Sequence, residues 1–196
     1  MDKIIELDKR LLLFLNGFHT DSIDPVMLLI TKTEFWTPLY LIIIYFIFKK
    51  YNTEGWLVLA GAAIAILLSD QITSSLMKPF FERLRPSQDP TLQGLVHLVD
   101  GYKGGLYGFA SSHAANTFST AMLVWLVFKK QVNWSWIIFI WASLMTYTRI
   151  YLGVHFPGDI LVGGIIGIGC GYTGYRCYQW LAKKFKFQNS PAAQSD

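Results

Sequence analysis

Between two long apolar runs, the stretch from Thr148 to Asp159 brings together Arg149, His155 and Asp159. Charged side chains bordering hydrocarbon are costly, so an arginine and a carboxylate around a histidine suggest a site before they suggest packing. The competing reading is a snorkelling arginine beside an inert interfacial histidine. Two further stretches weigh against it. Lys78 and Arg85 follow one apolar run directly, and Ser111, Ser112 and His113 open the next. Three cations, hydroxyls and two histidines form a set suited to holding a phosphoryl group, attacking it and protonating what leaves.

In order and spacing, these stretches resemble the three motifs of the type 2 phosphatidic acid phosphatase and haloperoxidase superfamily. Lys78 to Arg85-Pro86 fits the first motif without a gap. Ser111 and His113 fit the second, with Ala110 in place of its proline and Ser112 in place of its glycine. Arg149, His155 and Asp159 fit the third, with Thr148 where the pattern has serine. The extra side chain at Ser112 is expected to narrow the phosphate pocket. The resemblance implies that Lys78, Arg85, Arg149, Ser111 and Ser112 bind phosphate, that His155 attacks phosphorus, that Asp159 fixes its tautomer, and that His113 protonates the leaving oxygen. Cations that clamp the oxygens stand in for a metal, so neither metal nor cofactor is expected.

The elements that carry these residues must cross a membrane. Hydrophobic residues make up 53% of the 196-residue chain and charged ones 15%, with a mean hydropathy of +0.35. Most of such a surface faces lipid. The expected fold is an all-α polytopic bundle of about five transmembrane helices plus an N-terminal interfacial helix, with a lipid bilayer and a lipid phosphate as partners. A net charge of +4 does not imply nucleic acid, because the basic residues sit in pairs at the ends of apolar runs, where anchors and topology signals belong. Cys170 and Cys177 lie roughly 10 Å apart along one predicted helix, too far for a disulfide, and read as buried thiols.

Taken in order, residues 1–18 alternate as an amphipathic helix expected to lie on the membrane. The first crossing, built on Phe35 to Phe48, is short and is expected to recruit Thr33 and Glu34 or to bend into the apolar piece before them. Trp56 to Met77 makes the second; Asp70 within it is read as a structural hydrogen-bonding or ion-pairing group. A loop over 79–109, rich in proline and glycine, faces outward, and its Leu92, Leu95, Val96, Leu98, Leu106 and Phe109 are expected to rest on the bilayer. His19 and His97 read as surface residues. The later crossings run over about 111–128, 134–150 and 160–181, and glycines on the last suggest close helix packing. One membrane domain thus spans 1–182, followed by a basic and polar tail over 183–196.

Counting crossings puts every motif at one end of the bundle and Lys49, Lys50, Lys129, Lys130, Lys183, Lys184 and Lys186 at the other. By the positive-inside rule, the site then faces outward from a bacterial inner membrane. The expected activity is hydrolysis of a lipid phosphate or pyrophosphate through a phosphohistidine, with undecaprenyl pyrophosphate ranked first. Phosphatidylglycerol phosphate, phosphatidic acid and lipid A phosphates follow as alternatives. Two rival classes share the same residues: a lipid phosphotransferase, in which an alcohol intercepts the intermediate, and a transporter that binds lipid phosphate without cleaving it.

Overall fold

The computed structural model describes residues 2–188. Helix α1 runs over Asp2–Asn16 and α2 over Asp24–Ile30. A 3-10 turn at Thr33–Trp36 leads into α3, Thr37–Tyr51, so Thr33 and Glu34 do join this element. Pro38 near its start loses no intrahelical hydrogen bond there. Asn52, with φ of 47°, ends α3 in the left-handed region, and Gly55–Asp70 forms α4. Gly55 lets α4 start against the ring of Phe48, which a Cβ would meet at 2.8 Å. The whole helical run Thr33–Phe81 is long and apolar enough to cross a membrane, with a mean hydropathy of 1.7 over its most apolar window.

A π-helical segment, Gln71–Met77, widens the upper end of α4 and passes into α5, Lys78–Phe81. The irregular segment thus begins at Glu82, past the expected boundary, and continues to Ser111. Next come α6 (Ser112–Phe128), α7 (Ile138–Tyr151) and α8 (Pro157–Gln188). Helix α8 runs into the segment expected as a tail; residues 189–196 lie outside the described residues. No strand occurs among the described residues.

At the centre, α8 lies between α4 and α6. Gly163, Gly167 and Gly171 press on the carbonyls of Ser111, Ala115 and Ser119 along α6, while Gly174 and Gly61 press on each other's carbonyls across α4 and α8. A Cβ at any of these positions would collide with backbone, so the glycines serve close packing. Outward faces are apolar: Leu41 and Ile42 on α3, Leu67 on α4 and Leu161 and Ile165 on α8 are all exposed, as lipid-facing helices require.

Three sequence expectations change. Helix α1 does not simply rest on a membrane: Leu12 is fully buried against Ile150 and Phe156, and Asn16 donates to the carbonyls of Ile150 and Tyr151 at the end of α7. Its amphipathic pattern serves protein as well as lipid, since Ile4, Leu7 and Phe14 stay exposed. Within the 82–111 segment, Leu92 is buried beside Leu12 rather than laid on the bilayer, and the nearby Val99 is buried beside Leu152. Leu95 and Leu106 do face outward. His97 is more than a surface residue, pairing with Asp24 at 2.9 Å and stacking on His19 at 3.7 Å, so the pair ties the loop to α2.

Candidate active site

At one end of the bundle, the segment joining α7 to α8 turns through Gly153, whose φ is 66°. A Cβ there would meet Val96, Leu98 and the carbonyl of His97, so only glycine admits the loop this closely. The turn delivers His155 into the interior, where it is 2% exposed. Its Nδ1 lies 3.3 Å from Oδ2 of Asp159, one helical turn later, and its Nε2 lies 3.0 Å from Nη1 of Arg85. A carboxylate can only accept and a guanidinium can only donate, so the tautomer is set: Nδ1 carries the hydrogen and Nε2 keeps its lone pair. Burial, then Arg85, Arg149 and Lys78, hold the imidazole well below its ordinary value of 6.5. The ring is therefore neutral at neutral pH, with its free nitrogen turned toward cations.

Arg85 is held by two carbonyls, Tyr107 at 3.2 Å and Val154 at 3.3 Å. Gly108 admits this cluster, since a Cβ there would lie 3.0 Å from Asp159 Oδ2 and 3.2 Å from Arg85 Cγ. Arg149, on the last turn of α7, donates to Thr31 at 2.9 Å and to the Tyr102 hydroxyl at 3.2 Å, and its buried Nε has no protein partner. Thr148, where the motif has serine, also donates to Thr31, at 2.8 Å. Lys78, at the end of the π-helical segment, donates to Ser112 Oγ at 2.7 Å. Asp70 accepts from Ser74, which meets the same Ser112 hydroxyl at 2.8 Å, in keeping with a structural role.

The two serines of the second motif differ from expectation. Ser112 does not project a bare side chain into the pocket, because its hydroxyl is taken up by Lys78, Thr73 and Ser74. Ser111 caps α6, its hydroxyl accepting from the amide of Ala114 at 3.3 Å while its own amide donates to the carbonyl of Asp159 at 3.0 Å. The amide of Ser111 is therefore not available to a phosphate. His113 follows on the first turn of α6, and its buried Nε2 has no protein partner.

Sequence reasoning missed four residues that build this site. Arg83 donates through Nη1 to Asp159 Oδ1 at 2.8 Å and through Nη2 to Asp8 Oδ2 at 2.7 Å, and it stacks on Phe156 at 4.0 Å. Asp8, on α1, also accepts from the amide of Gly158 at 2.8 Å. Thr31 and Tyr102 position Arg149. Arg83 stands inside the gap of the first motif, and its proximity to Lys78 and Arg85 was the one available signal.

Fold and site together define a helical membrane protein with a buried, carboxylate-oriented histidine facing a cluster of cations. Residues 55–183 match the PAP2 superfamily, and the chain belongs to it. It is 35% identical to a lipid A 4'-phosphatase of Porphyromonas gingivalis over all 196 of its residues, 83% of that protein. It is 39% identical to a lipid A 4'-phosphatase of Bacteroides thetaiotaomicron over 176 residues, 88% of this chain and 76% of that one. Among solved structures, Aquifex aeolicus LpxE superposes with a TM-score of 0.67 at 28% identity, covering 87% of this chain and 95% of that one. The chain is thus a membrane lipid phosphatase of the PAP2 type.

Proposed function

We propose that this phosphatase removes a phosphate from lipid A through a phosphohistidine. The observation that carries the chemistry is the line Asp159, His155, Arg85: a buried imidazole held in one tautomer, with its lone pair facing a guanidinium. A phosphate monoester entering between His155 and the cations would be gripped through its equatorial oxygens by Arg85, Arg149 and Lys78. Nε2 of His155 attacks phosphorus in line as the bond to the leaving oxygen breaks, and His113 gives that oxygen its proton. Asp159 stabilises the charge that develops on His155. Water then attacks the phosphohistidine, losing its proton to His113, and phosphate departs with His155 restored to its neutral form. Because the cations already neutralise the phosphoryl oxygens, no metal enters this scheme.

The choice of substrate follows the relatives. Both relatives are named for lipid A, which supports lipid A ahead of undecaprenyl pyrophosphate, the substrate that the sequence alone ranks first. Five crossings are assigned to α3, α4 with its π-helical extension, α6, α7 and α8. At the end opposite the site, Lys50 donates to the carbonyl of Val127 and, at 2.6 Å, to Gln131, gathering the α3–α4 and α6–α7 turns beside one another. Those lysine-bearing turns would face the cytoplasm and the site would face the periplasm of a bacterial inner membrane.

Phosphate release from purified lipid A, phosphatidic acid, phosphatidylglycerol phosphate and undecaprenyl pyrophosphate tests the substrate, with lipid A expected to be turned over fastest. Preference for another member of the panel would refute the assignment. Mild-base quenching of a rapid reaction should trap phosphate on His155, and His155→Ala should abolish turnover while the protein stays folded. Normal turnover by that variant would overturn the nucleophile assignment.

A further inference from the structure

The tip of the 82–111 segment is firmly held and yet stays open to solvent. Asp100, Gly101 and Gly104 adopt left-handed backbone conformations, with φ of 48°, 67° and 67°. The tip is fastened on either side: Val99 is buried beside Leu152, the amide of Tyr102 donates to the Val99 carbonyl at 2.9 Å, and Ser87 donates to the Lys103 carbonyl at 2.6 Å. Gly104 presses on Arg85, whose Nη1 a Cβ would meet at 3.0 Å. Tyr102, at the centre of this tip, is 38% exposed, whereas Arg149, which it meets, and Arg85, which its loop meets, are buried.

The orientation of Tyr102 is not that of a membrane anchor. An interfacial tyrosine turns its hydroxyl to water or headgroups and its ring to hydrocarbon. Here the hydroxyl turns inward, accepting from Nη2 of the buried Arg149 at 3.2 Å, and the ring stays at the mouth of the site with the guanidinium 5.5 Å from its centre. The phenol oxygen is thereby used as an acceptor, while its hydrogen meets no acceptor among the described residues. Two capacities are left unspent: a hydroxyl donor beside a guanidinium whose own Nε lacks a protein partner, and a flat ring facing whatever enters.

We infer that Tyr102 selects the headgroup: its hydroxyl donates to an oxygen of the phosphate held by Arg149, and its ring packs against the sugar that carries that phosphate. A phosphate bound by Arg85 and Arg149 leaves its carrier at the rim, because the cations are the deeper groups. A glucosamine ring, the carrier in lipid A, presents a face of C–H groups with slight positive charge, which suits the negative face of an aromatic ring. In a polyprenyl pyrophosphate the same place is taken by a second phosphate, which that face repels, and glycerol offers no flat face to cover it. The inference rests on the lipid A reading and deepens it, since it assigns recognition of the carrier to a residue outside the three motifs.

The test uses the full-length protein in mixed micelles with lipid A and with phosphatidic acid, and reads kcat/KM for phosphate release from each. Tyr102→Phe keeps the ring and should lower both values by the same factor, about two- to tenfold, as the loss of one neutral hydrogen bond allows. Tyr102→Leu and Tyr102→Gln also remove the ring. Relative to Tyr102→Phe, they should lower the lipid A value by a further factor of about three to ten and leave phosphatidic acid at the same level. Two replacements of different polarity guard against a local misfold, and melting in detergent checks each protein. A purely structural tie to Arg149 would move both lipids together, so an unchanged ratio of lipid A to phosphatidic acid across all three variants overturns the role of the ring. Parent rates in Tyr102→Phe overturn that of the hydroxyl. A parent protein that prefers phosphatidic acid counts against lipid A as the substrate, while the change in ratio between Tyr102→Phe and Tyr102→Leu decides the role of the ring whatever that preference.

Discussion

Arg83 offers the sharpest test of how this site is held together. Asp159 is fully buried and receives three donors, the amide of Phe156 at 3.0 Å, Nδ1 of His155 at 3.3 Å and Nη1 of Arg83 at 2.8 Å. Only the last brings a full positive charge at ordinary pH. Arg83→Ala leaves a buried carboxylate facing the ring it is meant to orient, with one strong hydrogen bond missing. A charge-assisted bond of this kind contributes about 1.5–3 kcal/mol, and at about 1.4 kcal/mol per tenfold the loss of kcat is about ten- to a hundredfold if the bond matters in the transition state. Arg83→Lys keeps the charge but cannot reach Asp159 and Asp8 together as a fork, so it should recover only part of the loss. Asp8→Asn, at the partly exposed end, should cost less, and combined with Arg83→Ala it should add little, because the two residues act through one network. Initial rates of phosphate release over a range of lipid concentrations separate kcat from KM, and melting of the detergent-solubilised variants separates catalysis from folding. Retention of kcat within about threefold by a folded Arg83→Ala protein would refute the view that Asp159 depends on this bond; a tenfold change is about 1.4 kcal/mol.

Further predictions follow from the same geometry. Because His155 is held below its ordinary value by burial and then by cations, the unfolded chain binds a proton below about pH 6.5 that the folded protein refuses. Stability should therefore fall as pH drops from that value toward the folded one, and His155→Gln should flatten the slope of melting temperature against pH; an unchanged slope would clear His155 of the effect. For the same reason, the acid limb of kcat/KM should lie below about pH 6.5, and a limb above it would contradict the environment described for His155. Thr31→Val removes the acceptor shared by Arg149 and Thr148 and should lower kcat/KM about tenfold, the loss of one charge-assisted bond; steady-state rates equal to those of the parent would show that Arg149 is positioned by other means. A cysteine at Gln93 should react with an impermeant thiol reagent added outside cells and one at Gln131 should not, the reverse pattern placing the site on the cytoplasmic face.

Residues whose chemistry fixes their spacing were legible in the sequence. Arg85, Arg149, His155 and Asp159 do gather at one end of the bundle, with Lys78 and His113 close by, because each lies at a helix end or in the connection beside it. Glycine spacing on α8 foretold close packing for the same reason: a backbone contact tolerates no Cβ. Pairings between distant segments were not legible. Arg83 meets Asp8 and Asp159 across sequence separations of 75 and 76 residues, and no local pattern announces such a triangle. An amphipathic α1 looks alike whether its apolar face meets lipid or Phe156, so its docking on the site leaves no mark in the pattern. Ser112 looked like an intrusion because its partners, Thr73 and Ser74, sit on a π-helical segment whose altered register the residue types do not reveal. The headgroup chemistry that distinguishes one lipid phosphate from another left no mark in the motif residues, which grip only what all such substrates share.

The amide of Ser111 bonded to the carbonyl of Asp159, just above the ladder of glycines, divides the molecule into unequal parts. The helix carrying His113, the proposed general acid, and the helix carrying Asp159, the proposed partner of the nucleophile, are joined at the end where these groups meet, leaving little freedom for either to drift. Helix α3 shares no such ladder and meets the bundle through side chains instead, with Ile47 packed among Val58, Leu123 and Val127. Substitutions on α3 therefore change side-chain packing without touching the backbone contacts that space α6 and α8. The architecture thus sets a wall that side-chain changes can reshape beside one that backbone contacts hold fixed.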